Sequence, residues 1–398
     1  MSEKTKDVLL SIFASLLCIV IGLLVGLIIL YCINAENALD GFSRIIKGGF
    51  YLKPKGIGSE IAQATPLIMT GLSVGFAYRM GLFNIGASGQ FTMGIFFALI
   101  ISFLVPMPAP WSWIVACLAA IVGGALWGAI PGIFKALLNI NEVITSIMFN
   151  YIGMYVVDYI ISNNSTMYIA VKARTQYLPK TAQLPSLSPG NTNLNIGTII
   201  AIVLAVILFI VLMKTTFGYE LRATGFNKDA AKYAGMNSKR NIILTMMIAG
   251  ALAGLGGALY ILAPSMVEGS SVTYEPINVI RNEGFNGIAV ALLGCSHPIG
   301  IVFSAIFVSF IQRGGTAAVA YKPEIIDVML AFIIYFSAFA MVVREFVAGK
   351  RRRKRGGKTP SPASVIPEVP GPSADNETIL KIETNETILE IVIEEENE

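Results

Sequence analysis

Asn286-Gly-Ile-Ala-Val-Ala-Leu-Leu-Gly-Cys-Ser296 and Ile299-Gly-Ile-Val-Phe-Ser-Ala-Ile-Phe-Val-Ser-Phe-Ile-Gln312, separated only by His297-Pro298, decide how this chain is built. Both runs are apolar and both are short. At 1.5 Å per residue the first makes about 16 Å of helix and the second about 21 Å, against roughly 30 Å of hydrocarbon in a bilayer. They read as a broken or re-entrant pair, which is tolerated only where other helices or a wet cavity satisfy the freed backbone groups.

Working outward, longer apolar runs fall near 8–33, 60–79, 84–104, 112–134, 143–162, 196–213, 241–263 and 324–347. With the short pair they make ten membrane segments. The 398 residues are 55% hydrophobic and only 14% charged, with a mean hydropathy of +0.69. Soluble chains carry about a quarter charged residues, so this is an integral membrane protein. The run 8–33 has no small-x-small cleavage site after it and reads as a retained helix rather than a signal peptide.

Ten segments divide five and five, and an odd number per half forces the halves into opposite orientations, as in inverted-repeat transporters. The expected fold is all-α: a polytopic membrane domain over 1–348 built from two inverted five-helix halves. Gly81-Leu-Phe-Asn84 opens the third segment and Gly284-Phe-Asn-Gly287 the eighth, a short match at equivalent positions. Glycine lets a helix start or stop inside a bilayer and lets backbones approach, so such matched segments point to a translocation route. The plainer alternative is tight packing, which is the preferred reading for Gly250-x-x-x-Gly254 and Gly256-Gly257. Candidate pathway residues are Asn84, Gly86, Ser88, Gly89, Gln90, Asn286 and Gly287, an amide and hydroxyl set suited to a neutral polar solute.

Lys214, Arg222, Lys228, Lys232, Lys239 and Arg240 crowd one short loop, 214–240, and Lys350-Arg-Arg-Arg-Lys-Arg355 follows the last segment. Both are expected inside, which places both termini inside and the polar stretch 163–195 outside. Loop 34–59 then falls outside although it carries Arg44, Lys47, Lys53 and Lys55, a local exception to the rule. Residues 349–398 change character to a basic run, a Pro/Ser-rich stretch, a repeated Asn-Glu-Thr-Ile-Leu at 376 and 385, and an acidic end, and read as a flexible charged cytoplasmic tail.

Several chemistries are excluded. One histidine, His297, reads as a turn residue before Pro298 and leaves no material for a metal cluster or a Ser-His-Asp triad. The four cysteines show no paired spacing, so neither a disulfide framework nor a zinc site is expected. Gly357-Lys-Thr359 only mimics the end of a phosphate-binding loop, and Gly86-Ala-Ser-Gly89 only resembles a serine elbow. Glu60, Glu142, Asp158, Glu283 and Asp327 lie near segment ends rather than at mid-bilayer, which disfavours ion-coupled transport. No catalytic residue, bound metal, resident cofactor or nucleic-acid partner is expected.

The energy must then arrive from outside the chain, and the loop offers a handle. Asn227 has the chemistry of a helix cap, Asp229 sits in the first turn and Gly235 is a stop, so the stretch encodes a two-turn helix. Ala230, Ala231 and Ala234 permit close docking, while Lys228 and Lys232 suit an acidic partner. A solvated surface helix is the alternative.

Three stretches in this order carry a resemblance: Gly81-Leu-Phe-Asn-Ile-Gly-Ala-Ser-Gly-Gln90, Arg222-Ala-Thr-Gly-Phe-Asn-Lys-Asp-Ala-Ala-Lys-Tyr-Ala-Gly235, and Gly284-Phe-Asn-Gly-Ile-Ala-Val-Ala-Leu-Leu-Gly294 with His297-Pro298. Over residues 60 to 345 the chain resembles bacterial permeases of ATP-binding-cassette importers of the ribose and nucleoside type, and most of all the larger permease of nucleoside importers. The resemblance implies that Asn227, Lys228, Asp229, Ala230, Ala231, Tyr233, Ala234 and Gly235 form the coupling helix that contacts a separate ATPase, which binds ATP and magnesium. It also implies a second permease as heterodimer partner, an external substrate-binding lipoprotein, a place in the bacterial cytoplasmic membrane and alternating access without covalent chemistry. Simple sugars or branched-chain amino acids are alternative solutes for the same architecture. Where this chain has Ser88 the family usually has an acidic residue.

Overall fold

The computed structural model describes residues 3–338, apart from 49, 51–53, 188–191, 266, 268–269 and 319–320. The basic run at 350–355, the Gly357-Lys-Thr359 stretch and the charged tail lie outside the described residues. Thirteen α-helices are described: α1 (Glu3–Ile33), α2 (Ala38–Lys47), α3 (Pro54–Tyr78), α4 (Ala87–Leu104), α5 (Trp111–Leu138), α6 (Glu142–Ser162), α7 (Ile196–Lys214), α8 (Thr216–Phe226), α9 (Lys228–Tyr233), α10 (Ser238–Ile261), α11 (Asn282–Leu293), α12 (Pro298–Ala317) and α13 (Pro323–Ala338). One two-stranded antiparallel ribbon pairs β1 (Tyr168–Ile169) with β2 (Arg174–Thr175). The protein is predominantly helical, and among the described residues α4, α5, α6, α7, α10 and α12 are long and apolar enough to cross a membrane.

At the centre, α4, α5 and α10 approach one another to backbone contact at their glycines. Gly124 and Gly128 of α5 lie against Gly250 and Gly254 of α10, and Gly94 of α4 meets Gly254 from another side. A Cβ at any of these would collide with the facing backbone. Lipid offers no hydrophobic drive for helices to associate, so close van der Waals approach through small residues takes its place. The packing reading of Gly250-x-x-x-Gly254 is the one observed. Gly257 continues the seam against the Phe91 carbonyl.

Caps explain several helix starts. Asn141 accepts from the Val143 N–H and opens α6, and Asn195 accepts from the Gly197 N–H and opens α7. Each side-chain oxygen satisfies a first-turn donor that has no partner within the helix.

The structure corrects three expectations. The run read as ending at Gln312 continues through Arg313, Gly314 and Gly315 as the 20-residue α12, about 30 Å long and able to cross a bilayer. The reason is that Gly314 packs on the Ile45 backbone of α2, so the helix persists past its charged residue. Only α11, with 12 residues, stays too short to cross. Second, α4 begins at Ala87 rather than near 84, and residues 82–84 have no regular structure. Third, Gly81-Leu-Phe-Asn84 forms a turn and an extended stretch, whereas Gly284-Phe-Asn-Gly287 is already helical in α11, so the short sequence match does not mark the same local structure.

The polar stretch 163–195 and the segment after α10 form one cap over a single end of the bundle. Thr175 N–H donates to the Tyr274 carbonyl, Leu184 N–H to the Leu262 carbonyl, and Tyr274 N–H to Thr175 Oγ1 at 3.0 Å. Asp158 of α6 anchors this cap, accepting from the Tyr274 hydroxyl at 2.6 Å and the Asn278 N–H at 2.8 Å. Burial first, then this carboxylate, push the Tyr274 phenol above its ordinary range. Asp158 is thus a structural tie.

Candidate functional site

Two regions carry the candidate residues. The first is the buried place where α4 and α11 start. Both helices point their N-terminal ends at it, with Gly284 in the first turn of α11 lying directly on Ser88 in the first turn of α4. One turn further, Gly287 packs on Thr70 of α3, whose hydroxyl donates to the Glu283 carbonyl at 3.0 Å.

Beneath this contact sits a closed polar cluster. The Asn84 and Gln90 side chains form a reciprocal amide pair: Asn84 Nδ2 donates to Gln90 Oε1 at 2.8 Å and Gln90 Nε2 donates to Asn84 Oδ1 at 3.0 Å. Asn84 Nδ2 also reaches Ser73 Oγ at 3.0 Å. Buried amides left unpaired would cost about 1–3 kcal/mol each, and here they satisfy one another. Asn84, Gly86, Ser88, Gly89 and Gln90 are all buried in this conformation, as is Gly287, and Asn286 alone of the pathway candidates is partly exposed. The Ser88 hydroxyl, with 0% exposure, has no hydrogen-bond partner.

Asn150 of α6 completes the cluster, and nothing in the sequence singled it out. Its Oδ1 accepts from the Gly89 N–H at 2.8 Å and its Nδ2 donates to the Ile85 carbonyl at 3.0 Å, so one side chain caps the start of α4 and pins the segment before it. An asparagine within an apolar helix was the available signal, since polar groups at membrane depth mark interhelical ties.

The second region is the basic loop. Asn227 Oδ1 accepts from the N–H groups of Asp229 at 3.0 Å and Ala230 at 2.9 Å and opens the six-residue α9. Met236 N–H returns to the Ala231 carbonyl and Gly235 N–H to the Lys232 carbonyl, with Gly235 at φ +81°. This is a Schellman stop, and only glycine takes that backbone conformation without strain. The local reading of cap, first-turn acid and stop is the geometry found, on a helix slightly shorter than two turns.

Ala230, Ala231 and Ala234 all line an open groove of about 460 Å³ together with Tyr219, Arg222, Phe226 and Met236, with Ala231 at its buried floor. Phe226, which lines the groove, is 95% exposed, and Tyr233 of α9 is 94% exposed. Phe226, unremarked in the sequence, is the outstanding feature of this groove.

The two regions are mechanically joined. The backbone at Met80, just past α3, lies on Gly225 of α8, and Gly81, at φ +75°, faces the Gly225 carbonyl. Thr245 of α10 holds the same turn, donating to Met80 Sδ at 2.9 Å. From Gly81 only seven residues lead to Ser88. Arg79 ties this end to the turn after α11, donating to the Ser296 carbonyl at 2.7 Å and the Cys295 carbonyl at 3.3 Å. His297 stands in that turn, ahead of Pro298 in the first turn of α12, with its ring against Phe209.

Residues 57–338 match the family described as branched-chain amino acid transport system / permease component. The chain is 37% identical over 352 residues to the guanosine ABC transporter permease protein NupP of Bacillus subtilis, covering 85% of this chain and 96% of that one. It is 36% identical over 380 residues to the nucleoside ABC transporter permease protein NupB of Lactococcus lactis, covering 90% and 100%. A second guanosine ABC transporter permease protein of Bacillus subtilis, NupQ, is 27% identical over 266 residues, 64% of this chain and 80% of that one. No solved structure matches. The chain belongs to this permease family: it is a multi-pass membrane transport subunit, not an enzyme.

Proposed function

We propose that this chain is the membrane-spanning permease subunit of an ATP-binding-cassette importer that carries nucleosides. The observation that carries the reading is the 36–37% identity, across 85–90% of the chain, to permeases named for guanosine and nucleoside transport. The exposed groove at α8 and α9 supports it, because a transport subunit without its own nucleotide site needs a surface on which a motor can act. In this reading Asn227 to Gly235, with Phe226, dock on an ATPase that holds ATP and magnesium. Two permeases similar to this chain, NupP and NupQ, come from one organism and are both named for guanosine, which supports a second permease as heterodimer partner. An external lipoprotein delivers the solute to the cap formed by 163–195 and the segment after α10.

The ten segments read as α1, α3, α4, α5 and α6 in one half and α7, α10, α11, α12 and α13 in the other, inverted half. Support comes from the connectors: α2 links the first two segments of one half, and α8 and α9 link the first two of the other. The basic loop supports a cytoplasmic position for α8, α9 and both termini in a bacterial cell. The amphipathic α2, with Leu39 and Ile46 exposed and Arg44 paired to Asp40, then lies at the outer interface, where cationic side chains reach the headgroups. This accounts for the local charge exception.

Mechanically, closure of the ATPase pushes on α9, α8 transmits the push through Gly225 to Met80 and Gly81, and the start of α4 moves relative to α11. Asn84, Gly86, Ser88, Gly89, Gln90, Asn286 and Gly287 would line or gate the solute path as that contact opens. The test is uptake of labelled nucleosides and sugars in cells lacking this chain and in cells with it restored. Restoration of nucleoside uptake that survives collapse of ion gradients while ATP is held high is expected. Uptake abolished by collapsing those gradients, or restored only for sugars, overturns the reading.

A further inference from the structure

We propose that Tyr151 and Tyr155 of α6 form an aromatic ladder on the aqueous solute path, stacking the flat base of a passing nucleoside. The inference rests on the nucleoside reading above and adds a location and a recognition chemistry to it.

Tyr151, Tyr155 and Tyr159 are 49%, 56% and 72% exposed and recur every fourth residue. At 3.6 residues per turn, they and the exposed Ile144 and Met148 share an arc of about 80° on α6. None of the three tyrosine hydroxyls finds a hydrogen-bond partner within the described residues. Tyr159 lies one turn from the helix end, where an aromatic belt accounts for it. The other two are deeper. Tyr151 stands roughly 14 Å of helix from Glu142 and 16 Å from Ser162, at mid-bilayer. Tyr155 is about 10 Å from the Ser162 end, and helical side chains lean toward the N-terminus, which carries its ring further inward.

A phenol hydroxyl facing hydrocarbon at that depth has nothing to bond, and such groups turn to protein or to water. An aliphatic pattern is visible on α7 for comparison: short of its terminal Lys214, its exposed residues are Ile199, Ile202, Val203, Val206, Ile207 and Ile210, without one polar side-chain atom. On α6 itself the exposed Ile152, Val156 and Ile160 continue the exposed surface on one flank of the tyrosines, centred about 100° around from them. Every nucleobase has a π-face, so stacking holds bases without reading their identity. The rings recur every 6 Å or about that, so a base leaving one meets the next without a gap. Tyr151 also follows Asn150, which grips the start of α4, so motion of α4 moves the ladder.

The experiment is single-cysteine labelling in the assembled importer in membrane vesicles, with Cys18, Cys32, Cys117 and Cys295 replaced. Tyr151→Cys and Tyr155→Cys are expected to react with a charged, water-soluble thiol reagent at least about tenfold faster than Val206→Cys, and guanosine is expected to slow them. Rates equal to that of Val206→Cys place the face in lipid, and efficient cross-linking to the second permease makes it a subunit interface; either result overturns the proposal. Fast labelling that no nucleoside slows overturns the stacking, and because labelling reads water access alone, it remains informative if the solute proves not to be a nucleoside. In uptake, Tyr151→Leu and Tyr155→Leu are expected to raise KM about tenfold, while Tyr→Phe at either position stays within about twofold; equal losses for Phe and Leu also overturn it.

Discussion

Gly284 packs on the first turn of α4 at Ser88, so the N-terminal ends of α11 and α4 meet with backbone against backbone and only the Ser88 hydroxyl beside them. A Cβ on Gly284 would overlap the Ser88 backbone as well as its hydroxyl. The contact is therefore one of backbones, and trimming Ser88 cannot make room.

Gly284→Ala is accordingly expected to block uptake and to lower stability by about 1–3 kcal/mol, the usual effect of overpacking a closed contact. Thermal inactivation of the purified complex measures the second effect. The double variant Gly284→Ala/Ser88→Ala is expected to recover neither, and recovery would show that the hydroxyl alone is the obstacle.

Asn150→Leu removes the acceptor for the Gly89 N–H and the donor for the Ile85 carbonyl at once. Each buried group left unpaired costs about 1–3 kcal/mol, so this variant is expected to be among the least stable single substitutions in α6. The melting profile of the detergent-solubilised protein checks this, with Tyr155→Phe as the control expected to melt like the parent.

Asn227→Ala leaves the Asp229 and Ala230 N–H groups uncapped and is expected to weaken α9 by about 1 kcal/mol. Phe226→Asp with Tyr233→Asp goes further, placing charge on the exposed apolar pair. Membrane insertion should be unchanged while co-purification with the ATPase falls at least about tenfold. Undiminished co-purification would place the motor elsewhere.

Tyr274→Phe deprives Asp158 of its 2.6 Å hydrogen bond. Hydrogen bonds to charged groups are worth about 1.5–3 kcal/mol, so the outer cap should loosen while the bundle persists. Amide hydrogen exchange over 173–184 and 271–278 should quicken, with the α5–α10 seam unaffected.

What could be read without the structure was local or periodic. The cap at Asn227 and the stop at Gly235 came through because capping depends on neighbours three or four residues apart. The apolar runs came through because the bilayer sets their length. Long-range packing was hidden: the run read as ending at Gln312 continues in α12, where Gly314 sits on the Ile45 backbone of α2. Asn150 drew no notice because its partners, Ile85 and Gly89, are more than 60 residues away. The pairing of the Asn84 and Gln90 amides was not legible either, since no spacing rule says that these two side chains meet.

The seam of Gly94, Gly124, Gly128, Gly250 and Gly254 has a consequence for how force is carried. Where helices interlock through long side chains, rotamers can reshuffle and absorb a shove as local creep. Bare backbones offer no such compliance, so at these glycines a shift of α10 meets α5 and α4 with no side chain that could rotate out of its way.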